Sequence, residues 1–313
     1  MKKTQNAGVT GKAVFVGLML ACASGCGSKD SGVPESPEPV VEELTLPSLP
    51  SPNGYQMLVQ AGENTRALPS PVESMSRGAL EAYLGSHDEV LEILASALEQ
   101  SSRVVLDGEV EFTDAHVQGQ EALRKLANLC LAQAALAEGK VQMQMAMEAY
   151  FKLLRIGIEV GRGGLESDLR MGLDFEEKAV ARLAGLVRRL PKEAVSSGLE
   201  TLNAIQEIRP ALQSLREWSA LLEKTIHAPL LAGLDSSQRE QRNARFEAVV
   251  DDSMQQLKKL RVLSIKWAAR VYEFEHGVLP DGLDKLVPEL LPDVPTDPSN
   301  GQPFTVAVLK ESR

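Results

Sequence analysis

The chain contains little of three residue types on which small exported domains and metal sites often depend. Among 313 residues there are 3 cysteines, 4 histidines and 4% aromatic residues. The histidines are His87, His116, His227 and His276. They lie far apart in sequence, and none has a cysteine or histidine partner at ligand spacing, so the sequence predicts no zinc site and, more generally, no cofactor.

Basic residues are outnumbered by acidic ones. The chain has 33 Lys and Arg against 43 Asp and Glu, a formal net charge of −10. Three of the lysines and none of the acidic residues precede Cys26, so the chain from Cys26 onward has a net charge of −13. Such a charge repels nucleic acid and anionic lipid surfaces. We therefore expect no nucleic-acid partner and no membrane contact through a basic face.

The apolar run near the N-terminus, residues 13–23, is shorter than the roughly 20 residues that a membrane-spanning helix needs. It follows Lys2, Lys3 and Lys12. Positive charge before a short apolar run is typical of an export signal.

The residues after this run are small and lead to a cysteine. Ala23-Ser24-Gly25-Cys26 resembles the lipobox of bacterial lipoproteins, in which the cysteine receives diacylglycerol and becomes the new N-terminus. Cys22, preceded by Met19-Leu20-Ala21, is a second candidate. Cys26 is preferred because Ser24-Gly25 is the more usual lead-in. An ordinary cleaved signal without a lipid is the alternative.

The lipobox resemblance implies a subcellular location. Residues 1–25 would be a lipoprotein signal, and the mature chain would be anchored by its acyl group in the cell envelope, facing the periplasm. The residue after the proposed acylated cysteine is Gly27. In well-studied envelopes an aspartate at this position keeps a lipoprotein in the inner membrane, so by resemblance the glycine favours the outer membrane. If Cys22 is removed and Cys26 is acylated, Cys130 is the only thiol left, which excludes an intrachain disulfide.

Residues 26–52 are rich in proline, glutamate and serine. The prolines are Pro34, Pro37, Pro39, Pro47, Pro50 and Pro52. Little apolar surface is present to offset the entropy of ordering, and proline favours extended backbone, so we expect a tether between lipid and body.

Residues 53–276 predict a helical domain. Apolar residues recur at three-and-four spacing, and breaks are expected at Glu138-Gly139-Lys140, at residues 161–164, at Pro191, at Pro210 and at His276-Gly277. No repeat has a fixed period. The fold class predicted is all-α, a helical bundle or a helical-hairpin array.

Three serine-led segments predict helix starts by reciprocal capping. They are Ser70 to Glu73, Ser86 to Glu89 and Ser237 to Glu240. In each, the serine hydroxyl would accept from a backbone N–H of the first turn, and an acidic side chain three residues later would accept from the serine N–H.

Residues 277–313 change character. The prolines at 280, 288, 292, 295, 298 and 303 prevent a long helix, so a mostly irregular segment is expected. Leu283 to Leu291 could form helical turns, and Phe304 to Leu309 is predicted as a strand.

The end of the helical region and this segment resemble the C-terminal part of type II secretion major pseudopilins. The resemblance covers residues 263–304 and lies in His276-Gly277, Leu-Val-Pro at 286–288, Val-Pro-x-Asp-Pro at 294–298 and Asn-Gly-x-Pro at 300–303. The chain has a lipobox where pseudopilins have a prepilin-peptidase site and an assembly helix, so we do not expect it to polymerise. The whole chain resembles uncharacterised bacterial lipoproteins that join such a segment to a helical body.

Some pseudopilins bind calcium in this loop, which makes Asp293, Asp297 and Asn300 candidate calcium ligands by resemblance. Their oxygens suit a hard cation. Asp-Pro and Asn-Gly are also ordinary turn formers, and we favour that interpretation over a metal site.

Other residues with possible chemistry are better explained by packing. Met143, Met145 and Met147 could bind copper, but 143 and 147 share one helix face and are expected in the core. Cys130 lies on an apolar stripe and is expected to be buried and inert.

A glycine-rich segment and two acidic pairs are also interpreted without a binding site. Residues 161–164, Gly-Arg-Gly-Gly, lack the lysine and serine of a phosphate loop and predict a turn. The acidic pairs Glu176-Glu177 and Asp251-Asp252 are expected on solvated helix surfaces.

The sequence thus favours a non-enzymatic lipoprotein of the envelope that serves as a protein-interaction or structural module for an unknown envelope protein. One alternative is an accessory component of a secretion or pilus-like machine. Another is an enzyme with a site assembled from dispersed residues, which a pocket with convergent acids or histidines would favour.

Overall fold

The chain divides into two units, Met1–Glu43 and Leu44–Arg313. The computed structural model describes residues 46–106 and 113–309, all within the second unit. The α-helices of these residues are α1 (Gly54–Glu63), α2 (Arg77–Leu84), α3 (Asp88–Leu98), α4 (Asp114–Gly139), α5 (Met143–Gly161), α6 (Glu166–Leu186), α7 (Lys192–Ile208), α8 (Leu212–Lys224), α9 (Ala228–Ala232) and α10 (Ser236–His276). Short 3₁₀ turns cover Val72–Ser74, Val187–Arg189, Leu283–Leu286 and Val306–Leu309.

The predicted all-α fold is confirmed, since the described residues contain no strand beyond one isolated bridge between Thr296 and Pro303. Helix α5 packs against both α4 and α6, while α1 packs against α3 and α4. Helix α10 packs against α6 and α7. Short connections between α4, α5 and α6 make these helices antiparallel neighbours.

The core forms along α5, whose apolar residues occur on most of its faces. Leu153, Leu154 and Ile156 are fully buried. Helix α10 contributes Trp267, whose ring meets Phe151 edge-on at a centroid distance of 5.7 Å. A helix that is apolar on most of its faces has to lie between other helices, which explains the central position of α5.

Helices α5 and α6 approach each other through glycine. A Cβ atom on Gly157 would lie 2.6 Å from the carbonyl oxygen of Gly172, and one on Gly172 would lie 2.3 Å from that of Gly157. Only hydrogen in place of a side chain permits this backbone contact. The pair therefore sets the spacing of the two helices.

The predicted helix ends are confirmed. Helix α4 ends at Gly139, and Pro191 and Pro210 separate the helices on either side of them. Gly277, with φ of 75°, closes α10 in the left-handed conformation that glycine adopts without strain.

The predicted capping serines at 70 and 86 are wrong. The segment from Ser70 forms only the 3₁₀ turn Val72–Ser74, because Met75 is extended, and Ser76 caps α2 by accepting from Ala79 N at 3.3 Å. Ser86 Oγ instead donates to Tyr83 O at 2.9 Å, which continues the preceding turn.

The predicted cap of the last helix is wrong by two residues. Asp235 Oδ1 accepts from Gln238 N at 2.9 Å, and Gln238 Oε1 accepts from Asp235 N at 3.0 Å. Aspartate is as good an N-cap as serine, so the helix begins at Ser236, and Ser237 lies within its first turn.

The C-terminal segment packs into the same core as the helices. Leu283, Leu286 and Leu291 are buried in it. The segment is irregular apart from its short turns, as predicted. Its leucines explain why a proline-rich stretch is ordered against α7 and α10.

The strand predicted for Phe304 to Leu309 is wrong. Phe304 N donates to Pro295 O at 3.0 Å, but the chain then turns, with Val308 N donating to Thr305 O at 3.2 Å. A strand needs a second strand beside it, and the only extended neighbour in the described residues is the bridge at Thr296.

The last residues of the predicted tether contact the helical body. Leu46 packs on a cluster of Leu165, Leu222 and Ile226. Arg103 Nη1 donates to Ser48 O at 2.9 Å. Residues 46–48 therefore lie against the helical body near the start of α6.

Candidate functional site

The predicted acyl acceptor Cys26, its alternative Cys22 and the signal at 1–25 lie outside the described residues. None of the helices in residues 46–106 and 113–309 combines the length and apolar character that a bilayer crossing requires. The sites that the structure can place are therefore all on the helical body.

The calcium candidates lie in a hydrogen-bonded turn. Asp297 Oδ1 accepts from Ser299 N and Oγ, and Asp297 Oδ2 pairs with Lys258 Nζ at 2.8 Å. Asn300 Oδ1 accepts from Gln302 N, and Asp293 is exposed. No group of three or more His, Cys, Asp or Glu in the described ranges is arranged to hold a metal. A cation at Asp297 would have to displace Lys258.

The contact with Lys258, followed by that with Ser299, lowers the pKa of Asp297 from 3.8 to about 2. A carboxylate with a lowered pKa stabilises the folded loop above pH 3.8, and this stabilisation is lost as the pH falls through about 2. We expect an NMR titration of the Asp297 carboxyl carbon to show a midpoint near pH 2. In Lys258→Ala the midpoint should rise towards the ordinary value. A midpoint near 3.8 in the unaltered chain would contradict the ion pair.

The packing predictions for sulfur-containing residues are confirmed. Met143 and Met147 are buried on one face of α5, while Met145 is 49% exposed. Cys130 is buried, and burial raises the pKa of its thiol to about 12. A thiol of this kind carries almost no thiolate at neutral pH and is a poor nucleophile.

The glycine-rich segment at 161–164 is a turn, as predicted. Gly163 has φ of 71°. Arg162 donates from Nε to Glu159 Oε2 at 3.0 Å and from Nη2 to Ile208 O at 2.7 Å. The arginine therefore ties the turn to the end of α7.

Sequence reasoning missed a buried polar junction between α4 and α6. The fully buried Asp168 carboxylate accepts from Gln120 Nε2 at 2.8 Å and from Leu165 N at 2.9 Å. His116 Nε2 lies 3.1 Å from Asp168 Oδ1. Gln120 Nε2 also donates to Ser167 Oγ at 2.9 Å. Every oxygen of the buried carboxylate is thus satisfied across the two helices, as burial requires.

A pocket of about 220 Å³ borders this junction, between α1 and the start of α4. Its lining includes His116, Gly119 and Tyr55. Burial, together with the charge of Asp168, raises the pKa of Tyr55, so the phenol remains protonated and can donate a hydrogen bond. The pocket therefore combines one imidazole, one phenol and the carboxylate of Glu63 with amide, hydroxyl and aliphatic side chains.

The remaining histidines serve structural contacts. His87 Nε2 accepts from Arg66 N at 3.1 Å, so Nδ1 carries the proton and donates to Tyr83 O at 2.7 Å. His276 stacks on Tyr272 with ring centroids 3.9 Å apart. His227 lies beside Arg242.

The prediction that Glu176 faces solvent is wrong. Its side chain is buried and pairs with Arg209, whose Nη2 also lies 3.4 Å from Ser253 Oγ. Burial raises the pKa of Glu176, and the charge of Arg209 opposes this. Glu177, the next residue, is exposed as predicted and pairs with Lys259.

A groove of about 780 Å³ lies between the end of α6, the C-terminal half of α10 and the C-terminal segment. We call it the cationic groove. Its lining comprises Ala184, Gly185, Val187, Arg188, Lys266, Ala269, Arg270, Glu273, Leu279 and Leu309. Three side chains are basic and one is acidic, although the chain as a whole is acidic.

Comparison of the chain with protein-family models, with curated proteins and with solved structures found no match. The function is therefore inferred from the residues themselves.

Proposed function

We propose that this chain is a lipid-anchored, non-enzymatic protein of the cell envelope that presents its helical body to another envelope protein. The proposal is carried by one observation, the order of basic residues, apolar run and small residues that leads to Cys26. The acyl chain on Cys26 would provide the membrane contact, and residues 27–45 would separate lipid from body.

Features of the body support a binding role. Antiparallel helices leave grooves between them that accept peptides and partner helices. The cationic groove is open to solvent at Arg188 and Leu279. The polar side chains at the α4–α6 junction are bound to one another, which suits a role in joining helices.

Replacing each candidate cysteine in turn by alanine tests the lipid anchor. In Cys26→Ala we expect the protein to leave the membrane fraction and to lack the added mass of an acylated N-terminus. Cys22→Ala is the matched control and should behave like the unaltered chain, because that residue is removed with the signal.

The opposite result for the two variants would move the lipid to Cys22. A mature chain that mass spectrometry finds without fatty acid, or that retains Met1, would overturn the anchored function.

The pseudopilin resemblance of residues 263–304 supports the alternative of an accessory secretion component. Crosslinking in intact cells distinguishes this alternative from the first proposal, because proteins of a secretion machine would be captured only if the chain is an accessory secretion component. Capture of other envelope proteins without secretion components would favour the first proposal.

An enzyme is a third candidate because of His116, whose imidazole lines a pocket and lies against a buried carboxylate, as general bases do. Screening the purified protein with esters, amides and phosphate esters tests it. Turnover that is lost in His116→Gln would contradict the non-enzymatic proposal.

A further inference from the structure

We propose that the cationic groove binds an acidic peptide segment with aliphatic side chains, supplied by a partner protein. The inference rests on the proposed function, because it identifies the chemistry of the partner that the helical body would present itself to. Its evidence is independent of the lipid anchor and comes from the charges, the exposed apolar side chains and the volume of the groove.

The charges of the groove favour an acidic ligand. Lys266 is half-buried, and within the described residues its ammonium group has no ion-pair or hydrogen-bond partner. Arg270 Nη1 donates to Glu273 Oε2 at 2.5 Å, while its Nε is buried without a partner in the same residues. A buried donor without an acceptor is unfavourable, and a ligand carboxylate that reached it would relieve this cost.

Arg270 is held in place for such a contact. Its guanidinium carbon lies 4.2 Å from the centroid of the Phe274 ring, and the bond to Glu273 fixes one of its nitrogens. Stacking on an aromatic ring reduces the conformational freedom that an arginine loses on binding. The groove therefore offers one preorganised guanidinium and one flexible ammonium group.

Exposed apolar side chains gather at the same end of α10. Phe274 is 37% exposed, Val278 62% and Leu279 38%. Contiguous exposed apolar side chains beside charge are typical of protein-binding surfaces. Leu279 lines the groove, with Leu309 and Ala269 also in the lining. Aliphatic side chains of a ligand would be buried against these residues.

The volume and the overall charge favour a peptide over other anions. About 780 Å³ lies within the usual range of roughly 300–1,000 Å³ for ligand sites and exceeds the needs of a single phosphate. A nucleic acid or an anionic bilayer would face the net negative charge of the whole chain. An extended segment that enters only the groove would avoid most of this repulsion.

Fluorescence anisotropy with two labelled peptides tests the proposal on the full chain. In one, glutamate alternates with leucine; in the other, lysine replaces glutamate. We expect saturable binding of the glutamate peptide, weakened by salt, and no comparable binding of the lysine peptide.

Lys266→Glu should weaken binding of the glutamate peptide about tenfold, because it replaces attraction by repulsion at a partly buried position. Lys224→Glu on α8 makes the same charge change outside the groove lining and should leave binding within about twofold of the unaltered chain. Leu279→Ser should weaken binding without altering its salt dependence.

Equal affinity of the two peptides, equal binding by Lys266→Glu and Lys224→Glu, or no saturable binding would overturn the groove proposal. None of these outcomes depends on acylation, since Cys26→Ala should bind the glutamate peptide like the unaltered chain. Conversely, if the unaltered chain lacked lipid but still bound the glutamate peptide, the anchor proposal would be wrong and the groove proposal would stand.

Discussion

Alanine at Gly157 or Gly172 is expected to lower the free energy of unfolding by about 3 kcal/mol, the upper end of the usual cost of overpacking. Each added methyl group would collide with a backbone carbonyl of the opposite helix, at 2.6 or 2.3 Å. Backbone cannot rotate away as a side chain can, so α5 and α6 would have to separate. Thermal and urea unfolding, followed by circular dichroism, would measure the loss.

Gly185→Ala on α6, the helix that carries Gly172, provides the control. A Cβ atom at Gly185 meets nothing within 4 Å in the structure. Alanine there should stabilise the protein by up to about 1 kcal/mol, because glycine is the poorer helix former. If Gly157→Ala and Gly185→Ala gave the same stability, the close contact of α5 with α6 would be refuted.

Removing one partner of the buried Glu176–Arg209 pair should cost about 3–5 kcal/mol. In Arg209→Met, Glu176 keeps its burial and loses the only cation that pairs with it in the described residues. Glu177→Gln is the matched control, since its exposed pair with Lys259 should contribute about 1 kcal/mol or less.

The double variant Glu176→Met with Arg209→Met distinguishes the ion pair from simple packing. It should be more stable than Arg209→Met alone, because no uncompensated charge remains and two apolar side chains fill the space. Urea unfolding of the unaltered chain, Glu176→Met, Arg209→Met and the double variant gives the coupling free energy. Additive losses would mean that the two charges do not interact.

Local signals were sufficient to predict the helices and most of their ends. Gly139, Pro191, Pro210 and Gly277 act on the backbone within one turn, so their effect can be read without knowing the fold. Helix starts were harder because several polar residues compete. Ser76 and Asp235 cap helices where Ser70 and Ser237 had been predicted, and single residues decide between them.

Burial of charge could have been predicted in one case. Leu169, Leu173, Val180 and Leu183 form an apolar stripe on α6 with a gap that helical spacing fills with Glu176. Its neighbour Glu177 is one position off the stripe and is exposed. Asp168 had no such signal, because its partners His116 and Gln120 come from α4, about fifty residues earlier.

The strand predicted for Phe304 to Leu309 shows the limit of β-propensity. Valine and phenylalanine favour pleated backbone, but the sequence of one segment does not reveal whether a partner strand exists. The leucines of the C-terminal segment instead pack against the helices, a tertiary effect that residue preferences do not contain.

Leu46 packs on the cluster that contains Leu165, and this cluster lies at the opposite end of α6 from the cationic groove. Helix α6 has 21 residues, so at 1.5 Å per residue its two ends are about 30 Å apart. Leu165 precedes the first of these residues, and Ala184, Gly185 and Arg188 lie at the far end. A peptide in the cationic groove would thus bind roughly six helical turns away from Leu165, the residue at the other end of α6.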